Sequence, residues 1–193
     1  MKKKSKNFKL SSAQIIPIAF LLLILFGAFL LYLPISTAPG EKTSALTALF
    51  TSTTSVCVTG SVVVDTFSHW SLFGKIVILL LIQTGGLGII AVLGLLVILA
   101  KGELSLSGSL LLRDAYNLDS ARGITRFLVQ VYIGTLLVEA VGAIGYMYAF
   151  IPRYGLIKGF WYSFFTSVSA FCNAGIDILG PDSLTSFHNR PLV

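Results

Sequence analysis

The sequence predicts an all-α integral membrane protein built from tandem repeats, each a span, a re-entrant loop and a second span, truncated within the second repeat. Three observations predict it. Of 193 residues, 55% are hydrophobic and only 11% charged, with a mean hydropathy of +0.87, a balance that suits a chain whose solvent is the bilayer. Three apolar runs are long enough to cross ~30 Å of hydrocarbon as helix and too long for barrel strands of ~10 residues. A segment near residue 50 recurs near residue 165, every aligned pair being 115 residues apart.

In chain order, residues 1–14 form a basic N-terminus with five lysines, Lys2, Lys3, Lys4, Lys6 and Lys9. Such a head is also found on secretory signals. The following run, Ile15 to Leu33, holds 19 residues without a charge, and Pro34-Ile35-Ser36 makes a weak cleavage site, so the expectation is an uncleaved anchor. The second span covers 72–100, about 29 residues or ~43 Å of straight helix. That excess length predicts a tilt, a projection into water, or an interruption at Gly85-Gly86-Leu87-Gly88. Residues 101–126 form a linker whose mixed pattern, from Leu104 through Leu110-Leu111-Leu112 to Arg113, Asp114, Asn117 and Asp119, fits either a short amphipathic surface helix or a solvated connector. The third span covers 127–150.

Basic residues set the orientation. The five N-terminal lysines join Lys101, Arg113, Arg122 and Arg126 of the linker, nine in all, against four (Lys42, Arg153, Lys158 and Arg190) on the other side, with Lys75 just inside span two. The N-terminus and the linker are therefore predicted cytoplasmic.

The repeat organises everything else. Phe50-Thr51-Ser52-Thr53-Thr54-Ser55-Val56-Cys57-Val58-Thr59-Gly60 aligns without gaps on Phe165-Thr166-Ser167-Val168-Ser169-Ala170-Phe171-Cys172-Asn173-Ala174-Gly175, with five identities and a conservative Thr54/Ser169 pair. The same offset carries span one, 15–33, onto 130–148 inside span three. It carries span two onto about 187–215, so the chain is expected to stop as its final span begins, at 189–193, where Pro191 suits a first helical turn. The first repeat is thus 15–100 and the second 127–193.

Between spans, the loops 43–65 and 159–178 contain Ala45-Leu46-Thr47-Ala48-Leu49-Phe50 and Phe160-Trp161-Tyr162-Ser163-Phe164-Phe165, too apolar for ordinary exposed loops. Each suits a half-helix of ~15–18 Å. Non-helical backbone at membrane depth is tolerated where it lines a water-filled path. Backbone carbonyls arranged around such a path replace the hydration shell of an alkali cation. Gly60 and Gly175 are suited to the unusual dihedrals this needs, and the negative end of each half-helix dipole favours a cation nearby.

Cys57-Val58-Thr59-Gly60 resembles the first filter segment of the Ktr/Trk/HKT potassium transporters, and Ser169 to Ile176 resembles their second-repeat signature. Cys172 stands where that family commonly has Asn, and Ile176 where it has Phe. Gln83-Thr84-Gly85-Gly86-Leu87-Gly88 is similar to the family's second-span signature, and Leu110 to Asn117 to its cytoplasmic linker. The likeness runs from Ile15 to Val193 and is greatest to the N-terminal half of the Ktr membrane subunit. It implies the tandem pore-loop architecture of the potassium-channel type, with four repeats around one pore. The implied activity is potassium uptake, sodium-stimulated, through a selectivity filter at Cys57, Val58, Thr59, Gly60, Cys172, Asn173, Ala174 and Gly175. K+ is then the transported ion, with Na+ as a second candidate, and no covalent cofactor is expected. It further implies a plasma-membrane homodimer, remaining repeats from the C-terminal part of the chain, and a cytosolic nucleotide-binding regulatory ring.

Other residues carry two readings each. Gly85, Gly86 and Gly88 suit helix bending or gating, or simply close packing. Cys57 and Cys172 read as small buried residues rather than a disulfide or metal pair. Glu139 lies near mid-span, where an ionisable group is costly. Asp65, Asp177 and Asp182 follow the filter segments and either concentrate cations or are ordinary loop acids. His69, His188, Tyr32, Trp70, Trp161 and Tyr162 read as anchors at the water boundary. No nucleophile-base pair, metal cluster or phosphate-cradling loop appears, and only two histidines exist, which argues against an enzyme. No basic stripe with interleaved aromatics suggests nucleic acid. A non-conducting membrane scaffold or receptor subunit is the alternative to a pore.

Overall fold

The computed structural model describes residues 11–187 apart from 103 and 121, so the N-terminal lysines, His188 and the expected helix entry at 189–193 lie outside the described residues. Among the described residues there is no strand beyond an isolated antiparallel bridge between Thr37 and Trp70.

Helix α1 (Ser12–Tyr32) starts where the Ser11 backbone N–H donates to Gln14 Oε1 at 3.1 Å and ends ahead of Pro34. Leu21, Leu22, Leu25, Phe26 and Phe29 stand exposed along it, as a lipid-facing surface would. A short 3-10 turn, Pro34–Ser36, leads to α2 (Ala45–Cys57), capped by Ser44, whose Oγ accepts from Thr47 N. At 13 residues α2 is about 20 Å long, too short to cross a bilayer. The single turn α3 (Thr66–His69) is capped by the Asp65 carboxylate, which accepts from Phe67 N and Ser68 N.

The second apolar run is interrupted, as its excess length allowed. It forms α4 (Leu72–Leu87) and α5 (Ile89–Lys101), bent by 100° at Gly88, whose φ of 86° no helix accommodates. By length and apolarity α1 and α7 can each cross a membrane, and α4 with α5 supplies a third crossing if the bent pair is one span. The linker holds α6 (Leu106–Ala115), which docks rather than floats. Its Leu112 is buried in an apolar cluster with Ile89, Ile90, Ile124 and Leu128 beneath the bend.

Helix α7 (Ile124–Tyr154) has 31 residues, about 46 Å, longer at both ends than hydropathy suggests. The chain then reverses at Gly155 (φ 80°) into α8 (Leu156–Phe171). The reversal is tight because a Cβ on Gly159 would sit 2.7 Å from Ile151 Cα.

The main core lies where α4 runs between α2 and α8. Leu31, Val56, Ile78, Ile82, Phe165 and Val168 are buried together there. Trp70 and His69 join the buried set at 1% and 6% exposure, and Tyr162 is buried too. These three are therefore core groups and not boundary anchors. The reason is the chain's close approach at Gly74, where a Cβ would crowd Trp70 and the Ser36 carbonyl, while His69 Nε2 finds Thr43 Oγ1 at 2.9 Å. Tyr32 remains exposed, in keeping with the boundary reading.

Candidate functional site

Helices α2 and α8, which fall where the sequence leads one to expect half-helices, each run out into a loop of alternating handedness. Val58 (φ 49°) and Gly60 (φ 76°) take positive φ in the first loop, and Asn173 (φ 58°) and Gly175 (φ 65°) take it at the equivalent positions of the second. Glycine enters this region without a clash. A β-branched valine does not, and holding Val58 there costs about 1–3 kcal/mol, which surrounding bonds must offset. Such bonds exist, and they too repeat. Thr59 N donates to Thr54 O at 3.1 Å, and Ala174 N donates to Ser169 O at 2.8 Å.

Side chains reinforce each turn. In the first, Thr54 Oγ1 and Thr59 Oγ1 lie 2.7 Å apart. In the second, buried Ser169 Oγ donates to Ile176 O at 2.6 Å and accepts from Ile176 N at 3.0 Å. Ser169→Ala removes both bonds and leaves two buried backbone groups unpaired. A loss of about 1–3 kcal/mol is expected, read as a lower unfolding temperature of the detergent-purified protein.

The two loops meet. A Cβ on Gly60 would lie 2.9 Å from Ala174 O and 3.7 Å from Gly175 Cα, and one on Gly175 would lie 3.7 Å from Gly60 Cα. The glycines thus face each other backbone to backbone.

Each half-helix is hung on the span before it by the same device. Ser52 Oγ donates to Ile24 O at 2.7 Å, and Ser167 Oγ donates to Glu139 O at 2.7 Å. The spans present Gly27 and Gly142 to those serines, where a Cβ would meet each hydroxyl at 2.5 Å. These glycines were not singled out in the sequence, although Gly27 and Gly142 share the 115-residue offset. That coincidence, extended from the loop into the span, was the available signal.

The glycines of the second span divide in role. A Cβ on Gly85 would overlap the Val56 carbonyl, and one on Gly86 would sit 2.5 Å from Cys172 Sγ. Both let α4 press against the ends of the two half-helices. Gly88 instead carries the bend, and Tyr116 at the end of α6 donates its hydroxyl to the neighbouring Leu87 carbonyl at 2.9 Å. Cys57 is exposed and Cys172 buried, and neither is in a disulfide. Among the described residues no cluster of potential metal ligands occurs.

The segments that follow the two loops in sequence enclose a cavity of about 410 Å³, lined in part by Val62, Asp65, Gly175, Asp177 and Ser183. Asp177 accepts from Leu179 N at 2.9 Å and from Ser183 Oγ. Burial alone would raise the Asp65 pKa, but the Ser68 and Phe67 hydrogen bonds and the Lys75 charge together hold it below the usual carboxylate value. Asp65 therefore keeps its negative charge beside this cavity at neutral pH. Asp182 is not among the residues lining it.

Helical throughout, with two long apolar helices and a third apolar pair, this is an all-α membrane protein. The model of the cation transport protein family TrkH matches residues 3–193, and the chain belongs to that family. It is 39% identical over 193 residues to the potassium/sodium uptake protein NtpJ of Enterococcus hirae, covering 100% of this chain and 43% of that protein. To the Ktr system potassium uptake protein B it is 35% identical in Bacillus subtilis (97% of this chain, 42% of that protein) and 36% in Vibrio alginolyticus (98% and 41%). These relatives are uptake proteins, not enzymes, and the chain spans about two fifths of their length.

Proposed function

We propose that this chain supplies two of the pore loops of a potassium uptake system, with Cys57-Val58-Thr59-Gly60 and Cys172-Asn173-Ala174-Gly175 as filter segments. The single observation that carries this is the pair of glycine loops, alike in φ pattern and in the bond closing each turn, meeting at Gly60 and Gly175. A cation sheds its water only where several oxygens replace the shell at once, and main-chain carbonyls in such loops are suited to do so. The C-terminal ends of α2 and α8 add the negative pole of each helix dipole at the loops. Asp65 and Asp177 border the adjoining cavity and raise the local cation concentration there.

Two loops do not surround an ion, so further loops come from sequence outside this chain or from a second copy. The names of the relatives, potassium uptake and potassium/sodium uptake, support K+ as the transported ion with Na+ as co-ion or stimulant. Relatives named as parts of a Ktr system support further components acting with this chain; the family resemblance of its motifs is the ground for proposing that these include a cytosolic nucleotide-binding regulatory ring and that the membrane subunit is a homodimer. The chain is placed in the cytoplasmic membrane, and the excess of lysine and arginine on the N-terminus and linker supports both of these facing inside. Gly88 and the Tyr116 contact make the bend of span two the best candidate for a gating element.

The experiment is potassium uptake by a transport-deficient bacterial strain expressing the full-length protein. Uptake should be restored by the wild type, and Gly175→Asp should reduce the preference for K+ over Na+ at least about tenfold, a loss of ~1.4 kcal/mol in discrimination. Unchanged selectivity in that variant, at equal protein in the membrane, would rule the filter assignment out.

A further inference from the structure

The two repeats share the backbone bonds that close their loops and differ at a position of the span before each loop. At the position where Ser52 Oγ meets the carbonyl of Ile24, Ser167 Oγ meets the carbonyl of Glu139. Ile24 and Glu139 are equivalent residues, 115 apart. Packing at this place is therefore met by an aliphatic side chain in the first repeat, and a carboxyl is not needed for it. Yet Glu139 is only 3% exposed, near the middle of α7, and its Oε1 has no partner among the described residues. Burying such a group without full hydrogen bonding is costly, so the asymmetry calls for a use.

Its surroundings point to one. The Gln83 side chain of α4 lies beside the Glu139 carboxyl. The same Gln83 presents Oε1 to Cys172 Sγ at 3.9 Å, within the longer reach of a thiol donor. Cys172 opens the second glycine loop and packs against Gly86 of α4. Its counterpart in the first repeat, Cys57, is exposed, whereas Cys172 is 7% exposed. The repeat with the carboxyl is the repeat whose loop-opening thiol is held inward.

We infer that Glu139 is a positioning residue for ion selectivity, its carboxyl acting through Gln83 to hold Cys172, and with it the second loop, against α4. The inference rests on the reading of 172–175 as a filter segment, and it assigns to a residue outside that segment the task of fixing its geometry. Glu139 Oε1, without a partner among the described residues, can accept one more donor.

The test uses the full-length protein with its native cysteines, Cys57 of the first filter segment included, reconstituted in proteoliposomes, and modification of Cys172 is followed on its own peptide by mass spectrometry. Two quantities are read at equal protein, the K+ to Na+ uptake ratio and the rate at which a small methanethiosulfonate reagent modifies Cys172. Glu139→Ile, which installs the residue of the first repeat, and Gln83→Leu should each lower the ratio about tenfold, the size of effect seen when a partner orienting an ion's ligand is removed. Both should speed Cys172 modification. Glu139→Gln, which keeps the shape and the hydrogen-bonding capacity, should restore both quantities most of the way to wild type. A merely structural role would lower the amount of protein and leave the ratio alone. Wild-type ratio and labelling in Glu139→Ile and Gln83→Leu, or Glu139→Gln as damaging as Glu139→Ile, overturns the inference. If the wild type itself does not prefer K+, the filter reading falls separately, and the labelling alone then upholds or overturns the tie between Glu139 and Cys172.

Discussion

Valine in place of Gly60 is expected to eliminate selective potassium uptake, because two independent faults coincide at that residue. Its φ of 76° is left-handed, which costs an L-residue roughly 1–2 kcal/mol, and a β-branched side chain more. A Cβ there also lies 2.9 Å from the Ala174 carbonyl oxygen. That neighbour is main chain of the opposite loop, so no rotamer change relieves the crowding. The strain must be released by moving one loop relative to the other, and the carbonyl positions move with it. Tracer rubidium uptake, normalised to protein in the membrane, measures the effect. Gly60→Ala should fall between the two, since it carries the same Cβ without the branch. Selective uptake at the wild-type rate in Gly60→Val would mean that the two loops do not form one ion path.

The second large effect is expected at Gly85, and it is an effect on stability before it is one on transport. A Cβ on Gly85 would overlap the Val56 carbonyl at the end of α2. Gly85→Val must therefore lever α4 away from the half-helix, opening the core where Ile78, Ile82 and Val56 are each at most 1% exposed. A loss of about 3 kcal/mol, the upper part of the range for overpacking, is expected. The measurement is the unfolding temperature of the purified protein in detergent, with Gly145→Ala as the control. Nothing lies within 4 Å of a Cβ at Gly145, and alanine there gains about 1 kcal/mol in helix propensity. Equal unfolding temperatures for the Gly85 variant and the wild type would show that α4 and α2 are not in the contact described.

Much of the architecture was legible in the sequence because its causes act along the chain. Hydropathy located α1 and α7, since a segment in lipid has to be apolar over a fixed length whatever its neighbours are. The offset of 115 residues aligned the two loops, and the same offset relates the positive-φ residues Val58 with Asn173 and Gly60 with Gly175. The glycine signature at 85–88 marked a special place in span two, yet two readings were open for it, bending or gating and close packing. The structure divides them: Gly85 and Gly86 are contact surfaces and Gly88 is the bend.

What could not be read is of another kind. Trp70 and His69 look like boundary anchors by type and position, but the return of Ser36 and Thr43 over them puts both inside. The span glycines Gly27 and Gly142 matter only because Ser52 and Ser167 arrive opposite them. Glu139 is conspicuous in any reading, but its neighbours Gln83 and Cys172 are 56 and 33 residues away in the chain, and no local pattern brings them together. The sequence by itself determined the membrane as solvent, the repeat and the residues of the two loops. Only the tertiary structure decided which glycines are contacts, which one bends, and which buried polar groups meet. Solvent preference and duplication are properties of a chain read in one dimension, whereas close approach is set by atoms that are distant in sequence and share a place only after folding.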